Sequence, residues 1–126
     1  MKYLGVDYGS KKIGLAVSEE SGQMAFPFKV IPNFKALERI SEICQQENIS
    51  KIIFGESKNY AGDHNPIHTE VKTITKALEK DGYEIDLELE VLSTQEANRI
   101  APKDAWSDAR AATIILQSYL DRNKKI

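Results

Sequence analysis

Asp7, Glu90 and Asp108 are the residues whose types and positions best suit chemistry. Asp7 directly follows the apolar run Tyr3-Leu4-Gly5-Val6, Glu90 lies near the end of the alternating run from Ile85 to Val91, and Asp108 stands just ahead of Ala111-Ala112. Carboxylates converging from separate elements offer the hard oxygen donors that Mg²⁺ or Mn²⁺ prefers. A pair of such ions can hold both the attacking and the leaving oxygen of a phosphodiester. Without a cation, the same cluster would repel itself and raise at least one carboxyl pKa. Taken one at a time, the three acids also fit plainer roles. Asp7 before Gly9 suits a turn, Glu90 with Asp86 and Glu88 suits a solvated strand face, and Asp108 suits the start of a helix.

Other polar residues group around these. Lys11 and Lys12 follow a glycine turn beside Asp7, where they could contact phosphate or solvate a hairpin tip. Asn59 and Tyr60, in the stretch Lys58 to Gly62, could bond or stack on a nucleotide, or belong to an ordinary connection. His64 and His68 lack the acidic or cysteine partners that complete a zinc pattern, and read as a solvent-facing pair. Cys44 is the only cysteine, so no intramolecular disulfide is open to it; on an apolar helical face it reads as a small buried hydrophobe. Trp106 reads as the anchor of the final helix.

The elements that must position these residues follow from periodicity. Lys2 to Asp7 and Ile13 to Val17 read as a hairpin, and Met24 to Val30 as a third strand made irregular by Pro27. Asn33 is a candidate N-cap for a helix with Phe34, Leu37, Ile40, Ile43 and Cys44 on one face. Ile49 to Phe54 reads as a strand, and 56–65 as a loop. Pro66 opens a second helix with Ile67, Val71, Ile74 and Leu78 inward, and Asp81-Gly82 stops it. Ile85 to Val91 alternates with a period of two, a strand with one polar face. A short helical turn is expected over Ser93 to Ile100, and a last helix from about Ser107 to Leu120. Hairpins followed by alternating helices and strands imply an α/β fold with a mixed sheet and helices against it.

The chain has 126 residues, 41% hydrophobic and 29% charged, which suits one domain over 1–126 with a real core. Seventeen Lys and Arg against nineteen Asp and Glu give a formal charge of −2, which argues against a protein that binds nucleic acid chiefly by a basic surface. No stretch has the length and apolarity of a bilayer span, so a cytoplasmic protein without membrane contact is expected.

Gly5-Val6-Asp7-Tyr8-Gly9, Lys12-Ile13-Gly14-Leu15-Ala16-Val17, Leu92-Ser93-Thr94, and Asp108 followed by Ala111-Ala112, Ile115-Leu116-Gln117 and Tyr119-Leu120 together resemble the small bacterial Holliday-junction-resolvase-like family of pre-16S rRNA nucleases. The resemblance runs over nearly the whole chain. It implies the ribonuclease H-like fold, a mixed five-stranded sheet with helices on both faces. It also implies metal-dependent cleavage, by way of Asp7, Glu90 and Asp108 with Mg²⁺ or Mn²⁺. Ser93, Thr94 and Lys103 match segments expected near substrate, beside Lys11, Lys12 and Asn59. The implied substrate is structured RNA, pre-16S rRNA at its 5′ end, or branched DNA; ribosomal particles are implied partners, and a monomer and a homodimer both fit. Two departures stand out: Gly55-Glu56-Ser57 replaces the usual Gly-Leu-Pro, and Val91 replaces the usual arginine. A non-catalytic RNA-binding assembly factor is the main competing reading. The ATP-binding actin and sugar-kinase group shares the sheet topology and a strand-ending Asp-x-Gly, but this chain is too short for its second lobe.

Overall fold

The computed structural model describes residues 1–56, 66–89 and 105–123. In chain order the elements are β1 (Tyr3–Tyr8), β2 (Lys12–Ser18), β3 (Ala25–Pro32), α1 (Ala36–Gln46), β4 (Lys51–Glu56), α2 (Pro66–Lys80), β5 (Glu84–Leu89) and α3 (Ser107–Arg122). The strands form one sheet in the order β3-β2-β1-β4-β5. β1, β2 and β3 pair antiparallel, whereas β1–β4 and β4–β5 are parallel. Parallel neighbours need a crossover, and α1 and α2 supply it.

Alternation along the strands divides the sheet into two apolar faces. Leu4, Val6, Tyr8, Ile13, Leu15, Ile52 and Phe54 pack with Ile40, Ile43 and Cys44 of α1 and Ile74 and Leu78 of α2. On the opposite face, Ala16, Ala25 and Ile53 meet Ala112, Ile115, Leu116, Tyr119 and Leu120 of α3. The expected mixed five-stranded sheet with helices on both faces is therefore present. Cys44 is 1% exposed, and burial pushes its thiol up to about 12, as expected of a residue that only packs.

Two expectations at element edges are corrected. Asn33 does not cap α1: the residue before the helix is Lys35, with φ 56° and no side-chain cap bond. That left-handed turn breaks the helical period ahead of Ala36, so Phe34 leaves the apolar face and is 67% exposed. In β5 one residue of the polar face, Glu88, turns inward, while Glu84 and Asp86 stay exposed. Glu88 is 3% exposed, and Leu87 and Leu89 are 45% and 52% exposed. The helical turn expected over Ser93 to Ile100 lies outside the described residues.

Candidate active site

The α3 side of the sheet is unusually bare where the helix crosses it. A methyl group on Gly5 would stand 2.7 Å from Leu116 Cβ, one on Gly55 would run into Ile115 Cδ1, and one on Gly14 would land on the Asp108 carbonyl oxygen. At these three points the strands offer only backbone to α3, and Ala109, Ala111 and Ala112, all buried, complete the close approach from the helix. Small residues on both sides thus let the helix that carries Asp108 press on the sheet. The sheet's own glycines were the part that sequence reading missed.

This contact brings two of the three candidate acids to one place. Asp7 pairs with Gly14 across the β1–β2 ladder, and directly opposed residues project to the same side of a sheet about 5 Å apart. Asp7 therefore faces α3, next to the point where the first turn of α3, carrying Asp108, rests on Gly14. Both residues are half-buried. Among the described residues, no three His, Cys, Asp or Glu side chains form a metal-binding group. Glu90 lies outside the described residues, as do Asn59, Ser93, Thr94, Lys103, Val91, His64 and the stretch Lys58 to Gly62. The donor set that is described, carboxylate oxygen from a strand end and from a helix start, fits a hard divalent cation.

Lys11 and Lys12 are exposed on the hairpin tip that follows Asp7. The tip is held from β3: the Asn33 backbone N–H donates to the Lys11 carbonyl at 3.0 Å, and its side-chain amide donates to the Gly9 carbonyl. The Tyr8 hydroxyl donates to Glu70 Oε2 at 2.8 Å and lies 3.2 Å from Asn33 Oδ1. Burial, and then the bond to Glu70, push that hydroxyl up to about 12, so it remains a donor. Trp106 is half-exposed, and the buried face of α3 anchors the helix over most of its length. Sequence reading also passed over Glu88, which accepts from Ser118 Oγ at 2.9 Å and pairs with Arg122, tying the far end of α3 to β5.

Residues 1–122 match the family described as RuvX, Holliday junction resolvase. The chain belongs to this family. Full-length relatives agree. A Clostridium perfringens protein named "Putative pre-16S rRNA nuclease" is 36% identical over 138 residues, covering 99% of this chain and 100% of its own. A Thermoanaerobacter pseudethanolicus protein of the same name is 35% identical, covering 98% and 99%. Among solved structures, Thermus thermophilus RuvC in complex with a Holliday junction substrate superposes with a TM-score of 0.68 at 16% identity, covering 97% of this chain and 95% of that one. That likeness gives the ribonuclease H-like fold. As a RuvX-family protein the chain is a phosphodiester hydrolase. Among the described residues, no helix is long and apolar enough to cross a membrane.

Proposed function

We propose that this chain is a one-domain, divalent-metal-dependent endonuclease that trims the 5′ end of pre-16S rRNA, with Asp7, Glu90 and Asp108 as its catalytic carboxylates. The observation that carries the reading is the seating of the first turn of α3 on Gly14, beside Asp7. Asp7 and Asp108 would hold Mg²⁺ or Mn²⁺ together with Glu90. Metal bound there supplies charge stabilisation at the scissile phosphate. Asp7, on the strand next to the central crossover, fixes the position of the site, and Asp108 completes it from a helix start held against backbone. Lys11 and Lys12 on the adjoining tip, with Lys103, Asn59, Ser93 and Thr94, would contact the substrate strand. Cleavage of branched DNA is the second reading, favoured by the fold shared with a RuvC seen on a junction.

The test is single-turnover cleavage of a 16S precursor fragment and of a four-way DNA junction, in Mg²⁺ and in Mn²⁺, by wild type and Asp7→Asn. The substitution keeps size and hydrogen bonding but removes the anionic oxygen a hard cation needs. Cleavage should fall at least ~100-fold, the scale of losing a main source of transition-state charge stabilisation. The metal-free melting temperature should hold or rise, and any metal-induced rise should largely vanish. Retained cleavage by the mutant would remove Asp7 from the site. A folded wild type that cuts neither substrate would point to a binding role in assembly.

A further inference from the structure

Phe34 is an exposed aromatic on a firmly held backbone. Asn33, just before it, is bonded to both sides of the hairpin tip. The Phe34 carbonyl accepts from Arg39 Nε at 2.9 Å, and Lys35, just after it, takes the left-handed turn that starts α1. Phe34 is 67% exposed, with the Lys35 ammonium 5.5 Å from the ring centroid. An apolar ring left in water gains nothing for folding. A ring carried on a held backbone with a cation over one face, however, can receive a flat π-system on the other. Beside Lys35 lies an open hollow of about 390 Å³, lined in part by Tyr8, Asn33, Leu37, Thr69 and Thr73. Its lining joins apolar surface to hydroxyl and amide groups and to the carboxylates of Glu38 and Glu70. Such a lining suits a base and its ribose, whose hydroxyls can donate to the carboxylates, rather than a phosphate.

The position agrees with the proposed chemistry. Asp7, Gly14 and Val30 stand side by side on three adjacent strands, each ~5 Å from the next. The Phe34 segment follows the end of β3, so it lies on the same end of the sheet as Asp7 and two strands across. A polynucleotide laid over that end meets Asp7 on the α3 side and Phe34 towards the α1 side, with the exposed Lys11 and Lys12 between them. We propose that Phe34, Lys35 and the adjoining hollow form a subsite that stacks an unpaired nucleotide of the substrate strand close to the scissile phosphate. This rests on the nuclease reading only for where the strand runs; the binding itself needs neither metal nor cleavage.

The experiment is equilibrium binding, in EDTA, of full-length protein to a single-stranded RNA 12-mer carrying one 2-aminopurine, whose fluorescence is quenched on stacking. Wild type should bind and quench. Phe34→Ala should weaken binding by about 10-fold, in the range of loss of one base–aromatic stack, and abolish the quench. Phe34→Trp should restore both, and neither variant should change the melting temperature much, because the ring is exposed. Lys35→Ala should weaken binding less and flatten its salt dependence. Wild-type affinity and quenching in Phe34→Ala would overturn the subsite. So would a wild type that cuts its substrate yet never binds or quenches the single strand, while leaving the nuclease reading intact. Binding and quenching that depend on Phe34 in a protein that cuts nothing would instead support the subsite and overturn the nuclease reading.

Discussion

At Gly14 the demand on a single position is unusually explicit, because a side chain there has no place to go except the Asp108 carbonyl oxygen. The proposed site would depend on this absence as much as on its carboxylates. Gly14→Ala must push the start of α3 off the sheet, and with it Asp108, away from Asp7. Overpacking of this kind costs roughly 1–3 kcal/mol of stability. The catalytic cost should be at the upper end of the same range, since a misplacement of about 1 Å at a reacting centre can cost ~100-fold, about 2.7 kcal/mol. We expect Gly14→Ala to fold with a lowered melting temperature, to lose cleavage about as far as Asp7→Asn does, and to lose most of its metal-induced stabilisation. Melting curves with and without Mn²⁺, beside single-turnover rates, check this. Full activity in the folded variant would mean that Asp108 does not act with Asp7. Gly14 itself was visible in the sequence only as a glycine inside an apolar run, since nothing local says which helix will cross it.

β5 shows how far periodicity carries and where it stops at the scale of an element. Alternation of Ile85, Leu87 and Leu89 with Asp86 and Glu88 correctly marks a strand with two unlike faces, but it does not say which face meets a helix. That depends on α3, whose last turns bring Ser118, Tyr119 and Arg122 over Glu88 and Asp86 and supply hydroxyl and guanidinium donors there. Phe34 is the matching case in α1: its spacing suits the apolar face, yet one left-handed residue at Lys35 turns it outward. The order of elements along the chain, the apolar faces of the helices and the place of Asp7 at the end of its strand were legible because each rests on apolar pattern and punctuation, whereas the strand order within the sheet was not. The inward turn of Glu88 was not, because it rests on donors thirty or more residues away. Glu88→Ala strips Ser118 and Arg122 of their buried acceptor and should cost roughly 1–3 kcal/mol. Leu87→Gln, on the half-exposed face, should stay within about 0.5 kcal/mol of wild type. Urea melts of the two variants decide the point. Equal losses would mean that this carboxylate contributes nothing to holding α3.

Over the whole molecule, the formal charge of −2 sets how this protein can hold a polyanion. A nuclease without an excess of cations has few phosphates to neutralise, so it cannot rely on the counterion release that drives basic binders. Its cations are instead placed: Lys11 and Lys12 are exposed on the tip beside Asp7, and Lys35 is exposed on the neighbouring turn. The proposed carboxylate site would repel phosphate until a metal ion is bound. Binding should therefore be modest and only mildly salt-dependent in the absence of metal, and metal should raise it by cancelling that repulsion. With three phosphate contacts to a single strand, the slope of log K against log salt is roughly −2. A binder making many contacts is far steeper. The measurement uses Asp7→Asn in EDTA, where neither cleavage nor divalent competition intrudes, across a potassium chloride series with single-stranded RNA. Replacing Lys11 and Lys12 together with alanine should flatten the slope by about 1.4, that is, about 0.7 for each lost contact. The melting temperature should hold, since both side chains are solvent-exposed. An unchanged slope in the double variant would place the strand elsewhere on the molecule and take both lysines out of the substrate path.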